Sequence, residues 1–265
     1  MGWRIVICLV CVLAATPALL AHDLWLIPDE KPAVGQPVTI ACHVGMDFPN
    51  SETAPDPAKF KRLLLILPDG SEGELKPAGQ KGKSGLLTFT PQKPGVYIAA
   101  VETQPRLLTL QAQAFNDYLI SDGMPHVYLQ RAKDGTLDQP GKERYSKYVK
   151  SIVPVGNGPG DATRVLGLTL EIVPLRDPSA VKVGETLAVR VLFLGKPLPE
   201  APVGWQHPGD GEHARGYVRT DAKGEALVPV AKTGLMTVRL THMTRPKTAE
   251  YEWESFWCTL TFRVP

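Results

Sequence analysis

Charge is scarce in this chain of 265 residues and nearly balanced in sign. Charged residues make up 21%, and 29 basic side chains meet 27 acidic ones for a formal net charge of +2. A dedicated nucleic-acid binder carries a basic stripe or a strongly basic balance, so nucleic acid is not an expected partner. The sequence also lacks a Gly-x-Ser-x-Gly elbow, which removes the usual sign of a serine hydrolase, and Ser255 has no base near it in sequence. There is no Gly-x-Gly-x-x-Gly and no phosphate loop. The Gly-rich stretch at 156–160 reads as a linker, because Pro159 removes an amide donor. No apolar run reaches the roughly 20 residues of a membrane helix.

What is present is a 43% hydrophobic composition with 25 Pro and 24 Gly that follow no period. That excludes a disordered or collagenous chain and supports a substantial core. Residues 1–21 read as a secretory signal peptide: Arg4, the apolar run Ile5–Ala15, and a small residue at Ala21. The expected location is therefore periplasmic or secreted, with no retained membrane span. Cleavage after Ala21 removes Cys8 and Cys11. It leaves Cys42 and Cys258, each in an apolar, strand-like run, either as a disulfide permitted by export or as two buried free thiols.

The rest of the chain reads as short strands punctuated by Pro and Gly, the pattern of an antiparallel sandwich. The expected architecture is all-β with two β-sandwich domains. The first spans residues 22–160 with a helical insertion at about 111–149. The second spans 161–265 and is immunoglobulin-like or transthyretin-like. Within the insertion, Phe115, Leu119 and Ile120 fall at helical spacing, Pro125 opens a second helix, and Lys142–Tyr148 reads as a third.

Several segments taken together carry a family resemblance. Ala21-His-Asp-Leu-Trp25, Phe115-Asn-Asp-Tyr-Leu119, Glu143-Arg-Tyr-Ser146, Gly167–Leu175 with Asp177-Pro178, Gly195-Lys-Pro-Leu198 and Trp253–Phe262 resemble the exported domain-of-unknown-function family numbered 4198. The match covers essentially the whole mature chain. Members are often labelled as periplasmic components of cobalt or nickel transport systems, so the resemblance implies a metal cargo and a membrane metal-uptake transporter as partner.

Metal binding also has support in the residues themselves. Cleavage after Ala21 makes His22 the amino terminus, whose α-amine and imidazole Nδ1 can close one chelate ring on a metal. Both donors titrate near neutrality and give up their protons at little cost. Nitrogen donors suit nickel, cobalt, copper or zinc. His43 on the first mature strand and His242 at a strand end in the second half are the further candidate ligands, with Glu102 as an alternative to His242. His207 and His213 flank an exposed loop and His126 precedes a helix.

Each candidate has an ordinary alternative. His22 is otherwise a plain terminus, and His43 a hydrogen-bonded, partly buried side chain. Asp23 and Asp29 read as a carboxylate pair or as an exposed acidic start. Trp205, Trp253 and Trp257 read as a sugar platform or, for Trp257 above all, as core. The expected function is an exported, non-catalytic transition-metal binder holding nickel, cobalt or copper through His22, His43 and His242. The alternatives are an envelope module for a protein or glycan partner and a copper oxidase with a terminal-histidine site.

Overall fold

The computed structural model describes residues 22–212 and 216–265. The expected signal peptide and His213 lie outside those residues. The architecture is all-β, as the turn punctuation predicts, with two α-helices, α1 (Ala112–Ser121) and α2 (Pro125–Asp134). The first half of the chain supplies β1 (Asp23–Pro28), β2 (Val38–Gly45), β3 (Phe60–Ile66), β4 (Glu72–Gly73), β5 (Lys76–Lys81), β6 (Ser84–Phe89), β7 (Gly95–Thr103), β8 (Arg106–Leu110) and β9 (Gly141–Val155). The second half supplies β10 (Leu170–Pro174), β11 (Thr186–Phe193), β12 (Lys196–Pro197), β13 (Pro202–Gln206), β14 (Tyr217–Arg219), β15 (Glu225–Pro229), β16 (Gly234–Thr244) and β17 (Trp253–Val264).

These strands form three sheets. A nine-stranded central sheet runs β14-β13-β16-β17-β9-β7-β3-β4, with β8 beside the first part of β9. One face is covered by the four-stranded sheet β1-β2-β6-β5. The other face is covered by β10, β12 and β15 arranged on β11. A strand buried on both faces reads as continuous apolar sequence and not as alternation. β7 shows this: Val96, Ile98 and Ala100 enter one core while Tyr97, Ala99 and Val101 enter the other.

The expected boundary at residue 160 follows a Gly-rich turn, yet the two halves share the central sheet. β17 lies parallel to β9 from Trp253 opposite Glu143 to Thr261 opposite Ser151. The sheet of β10, β11, β12 and β15 packs on strands from both halves, with Ile98 of β7 and Ile152 of β9 in the same core as Leu260 of β17. Cys42 and Cys258 are free, buried thiols. They sit in different cores, on opposite faces of the central sheet, so the free-thiol alternative holds.

The helices lie on the central sheet beside β1. Pro125 occupies the first turn of α2, and Gly135 ends it at φ 68°, the left-handed value glycine adopts without strain. Phe115 and Leu119 are buried against Trp253 and Trp257, while Ile120 points outward. A Cβ at Gly141 would fall 2.3 Å from the Phe115 ring, so glycine is what lets α1 approach β9. Arg131, fully buried, ties this cap together by donating to the carbonyls of Thr136 and Gln139 at 2.6 Å each.

The third expected helix is not one. Lys142–Tyr148 is the first part of β9. Its charged residues mimic an exposed helical face, but Glu143 and Lys147 are both buried. With Tyr145 they alternate toward one side of the strand, a period of two concealed by polar residues placed inside.

Candidate functional site

Between the β1 sheet, the segment 53–60 that leads into β3, and β8, the surface opens over the central sheet into a cleft of about 760 Å³. Its walls include His22 and Leu24 at the start of β1, Phe60 at the start of β3, and Arg106 and Leu108 on β8. Its floor holds Tyr145 and Lys147 from β9 and Trp257 from β17. The β9–β17 pairing creates this floor, because Lys147 and Trp257 stand opposite each other in register.

Lys147 is the centre of the arrangement. Its Nζ donates to the carbonyl of His22 and sits 5.6 Å from the ring centroids of both Tyr145 and Trp257. Burial lowers its pKa to about 8, with Arg106 adding repulsion and Asp23 opposing the shift. Trp257 stacks on Tyr118 at 5.5 Å and donates from Nε1 to Ser255 Oγ at 3.1 Å.

Behind the floor lies a buried polar network. Arg239 on β16 bridges Asp23 at 2.5 Å and Asp122 at 3.0 Å, and Thr241 donates to Asp122 at 3.1 Å. Desolvation raises Asp23 to about 6 despite Arg239. Glu143 accepts from the Tyr118 hydroxyl at 3.3 Å, and desolvation raises it to about 7.

His22 stands at the edge of the cleft. Its Nε2 lies 3.3 Å from Glu52 Oε2, while Nδ1 is buried with no hydrogen-bond partner. Burial lowers the imidazole pKa, opposed by Glu52 and assisted by Lys147.

The structure does not bring His43 and His242 to this point. In β2, Val38, Ile40 and Cys42 face the core, so His43 faces the other side of the sheet. Both its ring nitrogens are engaged: Nδ1 donates to the Pro49 carbonyl at 2.7 Å, and Nε2 accepts from Ser84 at 2.8 Å. His242 pairs with Phe256 in register, on the opposite face of the central sheet. It rests edge-on to Phe193 at 4.7 Å, and burial lowers it to about 4. Glu102 shares the Ile98 and Ala100 side of β7 and pairs with Lys61 at 3.2 Å. Asp23 and Asp29 lie at opposite ends of β1 and form no pair. Asp29 instead accepts from the Thr39 amide. Among the described residues, no group of three or more His, Cys, Asp or Glu could hold a metal.

Sequence reasoning missed Lys147, Tyr145 and Arg106 as cleft residues. The alternation of Glu143, Tyr145 and Lys147 was the available signal. Of the tryptophans, Trp257 reaches the cleft, while Trp253 is capped by the Arg245 guanidinium at 3.9 Å.

Fold and cleft together define an all-β sandwich protein with an aromatic and cationic cleft at the junction of its layers. Residues 19–244 match the family described as a domain of unknown function, DUF4198, and the chain belongs to that family. No curated protein matches the sequence. Among solved structures, similarity extends to the D0-D1 domain of intimin, at 13% identity over 91% of this chain and 98% of that one, with a TM-score of 0.21. The D00-D0 domain of intimin matches at 12% identity over 89% and 99%, with a TM-score of 0.22. A fragment of alpha-2-macroglobulin from Escherichia coli spanning domains MG0-NIE-MG1 matches at 11% identity over 87% and 94%, with a TM-score of 0.22. No helix among the described residues is long and apolar enough to cross a membrane.

Proposed function

We propose that this is an exported protein, periplasmic or secreted, that binds nickel, cobalt or copper at a terminal His22 and serves a membrane metal-uptake transporter without catalysing a reaction. The observation that carries the reading is the setting of the two His22 ring nitrogens. Glu52 Oε2 lies 3.3 Å from Nε2, where it accepts from an Nε2–H and favours the lone pair on Nδ1, and Nδ1 is buried with no hydrogen-bond partner. Nδ1 is the ring nitrogen that can chelate together with the α-amine, so cleavage after Ala21 would supply the second donor beside it. A carboxylate behind an imidazole ligand orients the ring and raises its basicity. The remaining coordination positions fall to water or to a ligand carried with the metal.

Titration calorimetry of the processed protein with nickel, cobalt and copper tests this. Saturable binding lost in a His22→Ala variant is expected. No binding to the wild type, or equal binding by the variant, overturns it. The second reading, an envelope module for a protein or glycan partner, draws on the cleft itself and on Trp257 in its wall.

A further inference from the structure

The protein contains two buried lysines with different surroundings. Lys150, 1% exposed, meets Glu171 at 2.9 Å, and that carboxylate is further held by the amides of Leu166, Gly167 and Leu168. This is a closed structural ion pair. Lys147, 9% exposed, has no carboxylate within 4.0 Å among the described residues, and its hydrogen-bond acceptor is a single carbonyl, that of His22. A buried ammonium has three donors and is normally paired.

The nearby charges do not close the gap. Asp23 and Asp122 are both committed to Arg239, and Glu143 lies behind the floor, bonded to Tyr118. On the cleft side the next charge is another cation. Arg106 stands opposite Tyr145 in register, it forms no ion pair among the described residues, and its field opposes protonation of Lys147. Lys59 contributes no excess charge, because Asp56 lies 3.6 Å away. Two like charges thus converge on one cavity, an arrangement relieved by a bound anion. Leu24, Phe60, Leu108, Tyr145 and Trp257 give the cleft apolar and aromatic surface beside the polar Thr103 and Gln104. A volume of about 760 Å³ matches a small organic ligand.

We propose that the cleft is a binding site for a small organic carboxylate with a planar apolar body. Lys147 and Arg106 hold the carboxylate, and Trp257 and Tyr145 pack against the body. Arg106 presents a fork suited to two carboxylate oxygens, whereas Lys147 contributes a point charge from below. The site adjoins His22, whose carbonyl Lys147 holds, but it requires no metal there.

The experiment uses full-length processed protein, stripped of metal on a chelating resin, with 2-naphthoate as probe and 2-naphthamide as its uncharged counterpart. Saturable quenching of tryptophan fluorescence by naphthoate is expected, with the amide at least about tenfold weaker, the scale of a lost charge-assisted hydrogen bond. Arg106→Gln, at an exposed position, is expected to weaken naphthoate by about tenfold and to leave the amide unchanged. Lys147→Met is expected to weaken it further. If Lys147→Met does not fold, the Arg106 variant and the amide comparison still decide. Absence of saturable binding, equal affinity for amide and carboxylate, or indifference to Arg106→Gln overturns the proposal. Because no metal is present, failure of the metal reading leaves this result untouched.

Discussion

Asp23 on β1 and Arg239 on β16 form an ion pair at 2.5 Å in which both residues are 4% exposed. β1 is thereby fastened to the central sheet, a tie reinforced where Thr259 donates to the Leu24 carbonyl at 2.7 Å. Arg239 also bridges Asp122 at the end of α1. One guanidinium therefore joins a cover sheet, the central sheet and the helical cap.

Arg239→Met leaves two carboxylates buried without a cation. A loss of about 3–5 kcal/mol is expected, the range for removing one partner of a buried pair. Urea denaturation followed by tryptophan fluorescence measures it. A loss below about 1 kcal/mol would show that the network tolerates the gap.

Glu143 makes stability depend on pH near neutrality. Its folded pKa, about 7, lies above the ordinary 4.5. Between those values the folded state holds a proton that the unfolded state has released. Acid therefore favours folding there, and stability declines as the pH rises toward 7. Asp23, raised to about 6, adds a slope of the same sign at lower pH. His22, His126 and His242, lowered from 6.5 by burial, add the opposite slope below about 6.5, so comparison with a Glu143 variant isolates its share. The groups facing it are Tyr118, Ser255, Asp122 and Lys147. Thermal melts of a Glu143→Gln variant are expected to lose the decline between pH 6 and 7, and an unchanged slope would count against the assignment.

On the proposed metal-binding reading, Glu52 orients the His22 imidazole through Nε2, so Glu52→Ala is expected to weaken nickel binding by about 10- to 100-fold, the usual effect of deleting a ligand's hydrogen-bond partner. Calorimetry on processed protein reads this directly. Unchanged affinity would mean that the imidazole orients itself.

Burial raises both thiols, Cys42 and Cys258, to about 12. The thiolate is the reactive form, so neither is expected to react with a thiol reagent in the native state at pH 8. Two equivalents are expected in guanidinium without reductant. None in processed protein would indicate a disulfide.

Much of the fold was legible because turn chemistry is local. Pro125 marks the start of α2 by its fixed φ, and strands such as β7 and β17 announce themselves by their apolar residues. What was not legible is which strands are neighbours. Periodicity shows which residues share a face, but nothing local in Trp253–Phe262 says that its partner is Glu143–Ser151, more than a hundred residues earlier. The cleft was hidden for the same reason, since Lys147 and Trp257 meet only through that pairing. His22 was readable from its position after the expected cleavage point. His43 was misleading because the groups that occupy its nitrogens, Pro49 and Ser84, are identifiable only in three dimensions.

The parallel joint between β9 and β17 also constrains the order of events in time. β17 is the last strand of the chain, and it fills the edge of β9 that no earlier strand occupies along Glu143–Ser151. As the polypeptide emerges from the ribosome, that edge stays open until residues near 264 have been synthesised. A strand edge waiting for a distant partner closes slowly and invites wrong pairing. The first half therefore has no completed native form of its own during synthesis, and truncation even a dozen residues short of the end leaves the middle layer in two unjoined pieces.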